Sequence, residues 1–420
     1  SQWRYYMREG YIIVLQDVRG RWMSEGDFVD VRPFNPNKKT NKDIDEASDT
    51  YDTIDWLLKN TDDNNGRVGV MGISYPGFYS TMAALSGHPA LKAVSPQAPV
   101  TDWFMGDDFH HHGAFFQMDG FAFYSSFGKP RPAPTTKGPE GFRYPTEDNY
   151  KFYLDAGSLA GLQQMMGDSI AFWNELYQHP NLDDWWKARN PRNFADQVSP
   201  QTATLVVGGL FDAEDCFGAW RMYEAFEKKG HNNNKLVMGP WYHGQWSSRD
   251  GTHLGNIQFG SNTAIWYQNH IELPFFNYYL KGKGDISQLA EATVFFSGEN
   301  RWHQFPQWPP ARAAAKALYL QPGGGLSWNS PTGKKDFSEY VSDPARPVPY
   351  AEQVHFHRTR SYMTDDQRFA SRRTDVLVFQ TDVLDQDVTV AGTLVANLYA
   401  SLTGTDADFV VKLIDVFPEG

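Results

Sequence analysis

Residues 67–85 read RVGVMGISYPGFYSTMAAL. Arg67 to Met71 is a short apolar run that reads as a strand, and Phe78 to Leu85 reads as a helix. Between them lies Gly72-Ile73-Ser74-Tyr75-Pro76-Gly77. A turn of the G-x-S-x-G kind between a strand and a helix puts a serine hydroxyl at the tip of a strained corner, exposed to substrate and close to backbone N–H donors. Ser74 is therefore the candidate nucleophile.

Working outward, Asp45 to Lys59 reads as a helix, with Ile54, Leu57 and Leu58 at helical spacing and acids in its first turns. Tyr11 to Asp17 and Ala93 to Ser95 read as strands, as do Ala203 to Leu210 and Lys235 to Met238. Strands alternating with helices predict an α/β class with a parallel sheet. From Met105 to Arg192 the strand signal gives way to aromatic loops, the Pro/Gly stretch Lys129 to Gly138 and short helical runs such as Leu182 to Ala188. This predicts a helical cap inserted in the sheet domain. After Lys283, the runs at Ala292 to Phe296, Ala317 to Leu320, Val376 to Phe379, Thr393 to Leu402 and Phe409 to Phe417 read as strands without helices between them. They predict a C-terminal β-sandwich or jelly roll. The expected division is 1–104 and 193–284 for the α/β core, 105–192 for the cap and 285–420 for the all-β domain.

A serine nucleophile in an α/β-hydrolase needs an acid and then a histidine later in the chain, each on a loop after a strand. Leu205 to Phe211 leads to Asp212, and Lys235 to Tyr242 leads to His243. The chemistry requires these residue types: the imidazole takes the serine proton, and the carboxylate fixes its tautomer and stabilises its cation. The bland alternative, Asp212 capping a loop and His243 in an aromatic core beside Trp241 and Tyr242, would have to explain three coincident signals.

Further acids crowd the same loops. Glu214 and Asp215 follow Asp212, and Asp107 and Asp108 lie on the loop after the Ala93 strand. Carboxylates gathered in one pocket repel and demand a cation, either a metal or a substrate ammonium. The His110-His111-His112 run invites a metal reading, but consecutive residues cannot all face one centre, and a polar loop explains them as well.

The net charge of −12 argues against a nucleic-acid partner, which would need a basic footprint. Hydrophobic residues at 41% supply an ample core. One cysteine, Cys216, excludes an internal disulfide framework and a cysteine-rich zinc site. No apolar run is long enough to span a membrane.

The stretches QDVRGRWMSEGDF at 16–28, GISYPG at 72–77, GDDFHHHGAF at 106–115, GGLFDAEDCFGAW at 208–220 and GPWYHGQW at 239–246 together resemble the α-amino acid ester hydrolases, or β-lactam antibiotic acylases. That family sits in a wider group with cocaine esterase, glutaryl-cephalosporin acylases and X-Pro dipeptidyl-peptidases, and the likeness extends to TDADFVVKLIDVFPEG at the chain's end. The resemblance implies an α/β-hydrolase core, a helical cap and a jelly roll. It implies a triad of Ser74, Asp212 and His243, and a carboxylate cluster of Asp108, Glu214 and Asp215 that grips a substrate's α-ammonium group rather than a metal.

It further implies an oxyanion hole formed by the Tyr75 backbone N–H and a tyrosine hydroxyl from an earlier loop, which this chain lacks. The implied fold has several strands before the nucleophile strand, where this chain shows only Tyr11 to Asp17, and the jelly roll stops partway, so the chain is read as truncated at both ends. The activity implied is hydrolysis of α-amino acid esters and amides through an acyl-enzyme, with acyl transfer to β-lactam nuclei, no cofactor, a small-molecule substrate, a homo-oligomeric state and a periplasmic or secreted location. The alternatives are a general carboxylesterase or glutaryl-type acylase, an X-Pro dipeptidyl-peptidase and, from a different class, a carbohydrate-binding protein on a degenerate hydrolase core.

Overall fold

Six strands form the central sheet in sequence order: β1 (Val68–Ser74), β2 (Leu91–Pro99), β3 (Ala203–Gly209), β4 (Asn234–Gly239), β5 (Ala292–Phe296) and β6 (Arg301–Phe305). The first five are parallel to their neighbours and β6 returns antiparallel to β5. The computed structural model describes residues 3–231, 233–333 and 336–418.

The two faces of the sheet explain the near-continuous apolar strands. Val94, Val206, Leu236 and Met238 are buried on one side with Phe78 and Met82 of α2 (Tyr75–Ala84) and Met222 and Phe226 of α3 (Cys216–Lys228). Ala93, Leu205, Val207 and Val237 are buried on the other with Phe275, Phe276 and Leu280 of α4 (Leu273–Lys281), together with Trp241 and Trp246. Each fully buried Val or Leu contributes ~1.5–3 kcal/mol relative to exposure. The earlier helix α1 (Glu46–Asn60) starts where expected, because the Asp45 carboxylate accepts the Ser48 N–H and the Ser48 hydroxyl accepts the Asp45 N–H.

Between β2 and β3 the chain forms the expected helical insertion, with helices at Gln117–Tyr124, Asn149–Ala156, Leu159–Met166, Ala171–Gln178 and Asp184–Ala188. Phe121, Tyr124, Phe172 and Trp173 are buried at its centre.

Two expectations are corrected. Tyr11 to Asp17 is not a strand. Its apolar character serves a helix contact instead: the Tyr11 hydroxyl donates to Asn277 Oδ1 and its ring lies under Lys281, while Ile12, Val14 and Leu15 stay exposed. Ala292 to Phe296 does not open the all-β domain but pairs parallel with β4; a short apolar run does not reveal which sheet it joins. Beyond β6, antiparallel pairing among the described residues is limited to Tyr319–Gln321 with Gly325–Ser327. Val376 to Phe379, Thr393 to Leu402 and Phe409 to Phe417 form no ladder, and Val395, Tyr399 and Val410 are exposed. Alternation in sequence marks two faces of a segment but supplies no neighbour for its backbone donors and acceptors.

Candidate active site

Because β1 to β4 are adjacent and parallel, the loops leaving their C-terminal ends open on the same edge of the sheet. These four loops carry Ser74, Asp107 with Asp108, Asp212 to Asp215, and His243.

Ser74 ends β1 at φ 68° and ψ −128°, a strained conformation that a non-glycine residue holds only when its surroundings impose it. Its neighbours impose it through close packing. A Cβ on Gly72 would stand 2.4 Å from the Pro76 carbonyl oxygen, and one on Gly77 2.5 Å from that of Gln97. Tyr75 opens α2, so its N–H lies in the first helical turn, where no intrahelical acceptor exists. Its phenol points away into the core, accepting from the Val31 N–H at 2.6 Å and donating to Asp30 at 3.2 Å.

His243 Nδ1 is 2.8 Å from Asp212 Oδ2. The other Asp212 oxygen accepts the Glu214 and Asp215 N–H groups at 2.8 and 3.0 Å. Burial opposes ionisation of Asp212, yet the His243 cation and these hydrogen bonds hold it below the usual carboxylate range. Burial likewise works against His243, but Asp212, Glu214 and Asp108 raise it to about 9. Its Nε2 faces Glu214 Oε2 at 3.3 Å. The Ser74 hydroxyl meets Asp215 Oδ2 at 3.5 Å, and no hydrogen bond joins it to His243 among the described residues.

The acids occupy different environments. Asp215 is fully buried, and its Oδ1 has no partner. Burial first, and then the charges of Asp108, Asp107, Asp212 and Glu214, push it well above the carboxylate range. Asp108, at φ 43°, accepts the Trp103 indole N–H at 2.6 Å and is pushed up to about 7 by burial and by Glu214. Its backbone N–H donates to the Glu214 carbonyl at 2.8 Å, tying the two acid-bearing loops together.

Asp107 has a different part. It accepts from the Thr101 N–H and hydroxyl, the Asp102 N–H and, at 2.6 Å, the Gly218 N–H at the start of α3. A carboxylate there satisfies an orphan donor and complements the helix dipole. Two of the three histidines diverge: His110 stacks on Phe104 with Nδ1 2.7 Å from the Trp103 carbonyl, and His111 packs on Phe116.

The sequence reading missed Arg358. Its Nε donates to Asp119 Oδ1 at 2.8 Å and its Nη2 to Glu214 Oε1 at 2.5 Å. Arg360 donates to the His243 carbonyl at 2.9 Å. Both lie in HFHRTRSYM at 355–363, far from any site motif. The one available signal was the excess of acid, which called for a cation without naming it.

The family model of the X-Pro dipeptidyl-peptidases (S15 family) matches residues 1–245, and that of their C-terminal non-catalytic domain matches residues 278–420. The cocaine esterase of Rhodococcus sp. (strain MB1 Bresler) is 27% identical over all of this chain and 72% of its own length. A solved α-amino acid ester hydrolase is 36% identical with a TM-score of 0.83, the match covering 91% of this chain and 63% of that one. An aminopeptidase from the marine sediment archaeon Thaumarchaeota archaeon is 36% identical with a TM-score of 0.82, over 90% of this chain and 62% of that one. The chain thus spans under two thirds of the length of these two structures. With a parallel sheet, a strained serine turn and a family model matching more than half its residues, the chain belongs to the S15 family of serine hydrolases, in the group that holds cocaine esterase and the X-Pro dipeptidyl-peptidases.

Proposed function

We propose that the protein hydrolyses esters and amides of α-amino acids, with Ser74 as nucleophile, His243 as base and Asp212 as its orienting acid. The observation that carries the reading is Asp215: a fully buried carboxylate with an unpartnered oxygen, beside Asp108 and within reach of the Ser74 hydroxyl. A buried charge without a partner is costly, and a substrate ammonium seated on Asp108, Glu214 and Asp215 supplies one while bringing its carbonyl to Ser74.

In the reaction, His243 Nε2 accepts the Ser74 proton as Oγ bonds to the carbonyl carbon. The resulting oxyanion is held by the Tyr75 N–H. Its collapse breaks the bond to the alcohol or amine, which leaves with the proton from His243. Water then attacks the acyl-enzyme by the same steps in reverse, or an amine such as a β-lactam nucleus takes the acyl group.

Purified protein assayed on phenylglycine methyl ester and its N-acetyl form tests this. Loss of the charge should lower kcat/KM on the order of a hundredfold; equal values overturn the ammonium pocket. A second reading is favoured by the aminopeptidase neighbour at 36% identity: the same pocket would hold a peptide's N-terminus. Turnover of an unblocked dipeptide in preference to the amino ester would select it.

A further inference from the structure

Three acids crowd one pocket, and the chain brings a cation of its own. Arg358 reaches the pocket with its side chain only 14% exposed. Its fork spans two carboxylates on different elements: Asp119, in the cap helix Gln117–Tyr124, and Glu214, on the loop after β3. An ammonium on a lysine stem has no such planar fork.

We propose that Arg358 is a positioning residue of the acidic pocket, engaging Glu214 Oε1 so that Oε2 is held toward His243 in the free protein and toward Asp108 and Asp215 when the substrate cation takes its seat among the three acids. The inference rests on the α-amino reading above. It follows from how the oxygens are divided. Glu214 Oε1 is taken by Arg358 and Oε2 faces His243 at 3.3 Å, whereas Asp215 Oδ1 is unpartnered. Arg358 thus offsets the charge of the acid nearest the imidazole edge, while the unpartnered Asp215 oxygen stays open to a cation.

The charged groups facing these residues set the sign of the effect. Around His243 stand Asp212, Glu214, Asp215 and Asp108; around Arg358 stand Asp119, Glu214 and the Tyr362 phenol. Arg360 meets only the His243 carbonyl, not its ring. Removing the Arg358 charge makes the potential at the imidazole more negative and favours its protonated form.

The test is a double-mutant cycle of Arg358→Met and Glu214→Gln, with Arg358→Lys alongside, assayed across pH on an α-amino ester and its N-acetyl form. Arg358→Met is expected to lower kcat/KM on the amino ester by about tenfold and to move the acidic limb of the profile up by roughly half a pH unit. In the Glu214→Gln background the same change should have less than about a twofold effect, because the residue acts through Glu214. Arg358→Lys should recover part of the loss. A wild-type rate and profile in Arg358→Met, or an equal loss with and without Glu214, overturns the proposal. If Arg358→Met does not fold, Arg358→Lys decides, and full wild-type kinetics there overturn it as well. Failure of the ammonium reading shows separately, as wild-type protein that treats free and acetylated esters alike.

Discussion

His243 Nε2 lies 3.3 Å from Glu214 Oε2, while the Ser74 hydroxyl turns to Asp215 Oδ2 at 3.5 Å. The proposed base and nucleophile each face an acid rather than one another. An ammonium drawn onto those acids competes for both contacts and releases the imidazole edge and the hydroxyl to meet. Substrate charge would then contribute to the chemical step as well as to binding. N-acetylation of an amino ester is expected to depress kcat at saturation; an effect confined to KM would contradict this.

The pH dependence of the rate follows from the same acids. Held up at about 9, His243 is protonated in the free protein at neutral pH and cannot accept the serine proton. Bound ammonium offsets the negative potential that raises it. The acidic limb of kcat, which reports the complex, should therefore lie at lower pH than that of kcat/KM, which reports the free protein. Coincident limbs for an amino ester would speak against the shared pocket.

Stability should run the other way from a typical salt-bridged carboxylate. Asp108 and Asp215 are raised in the folded state, so the native protein binds more protons than the unfolded chain at mildly acidic pH. Their stabilisation is present below the usual carboxylate range and is lost as pH rises, through about 7 for Asp108. Asp215→Asn removes the buried charge. It is expected to raise Tm by a few degrees at pH 8 and to flatten the decline in Tm above pH 5 while weakening KM for amino esters, as thermal melts across pH would reveal.

The serine turn tolerates no extra atom on its helix side. A Cβ on Gly77 would lie 2.5 Å from the Gln97 carbonyl oxygen and 2.8 Å from Pro99 Cα, both backbone. Gly77→Ala should cost on the order of 1–3 kcal/mol and abolish labelling of Ser74 by a fluorophosphonate. Retained labelling with an unchanged denaturation midpoint would show that the turn adapts.

The order Ser74, Asp212, His243 was legible because consecutive parallel strands place their following loops at one edge, so sequence order became spatial proximity. The helix Glu46–Asn60 was legible from its acidic first turns and apolar spacing. Tyr11 to Asp17 was misread because a strand is a relation between two segments, and an apolar pattern specifies only one of them. Arg358 was illegible for a related reason. Its partners Asp119 and Glu214 lie 239 and 144 residues away, and no local periodicity encodes that encounter.

Asp107 and Asp108 are neighbours in the chain with opposite duties. The first is spent entirely on backbone and hydroxyl donors that join the loop after β2 to the start of α3; the second stands among the acids facing His243. The placement of the proposed recognition carboxylate is thereby inherited from a residue outside the proposed pocket. Variation at Asp107 would surface as altered substrate choice, and a survey of specificity confined to pocket-lining positions would look past its source.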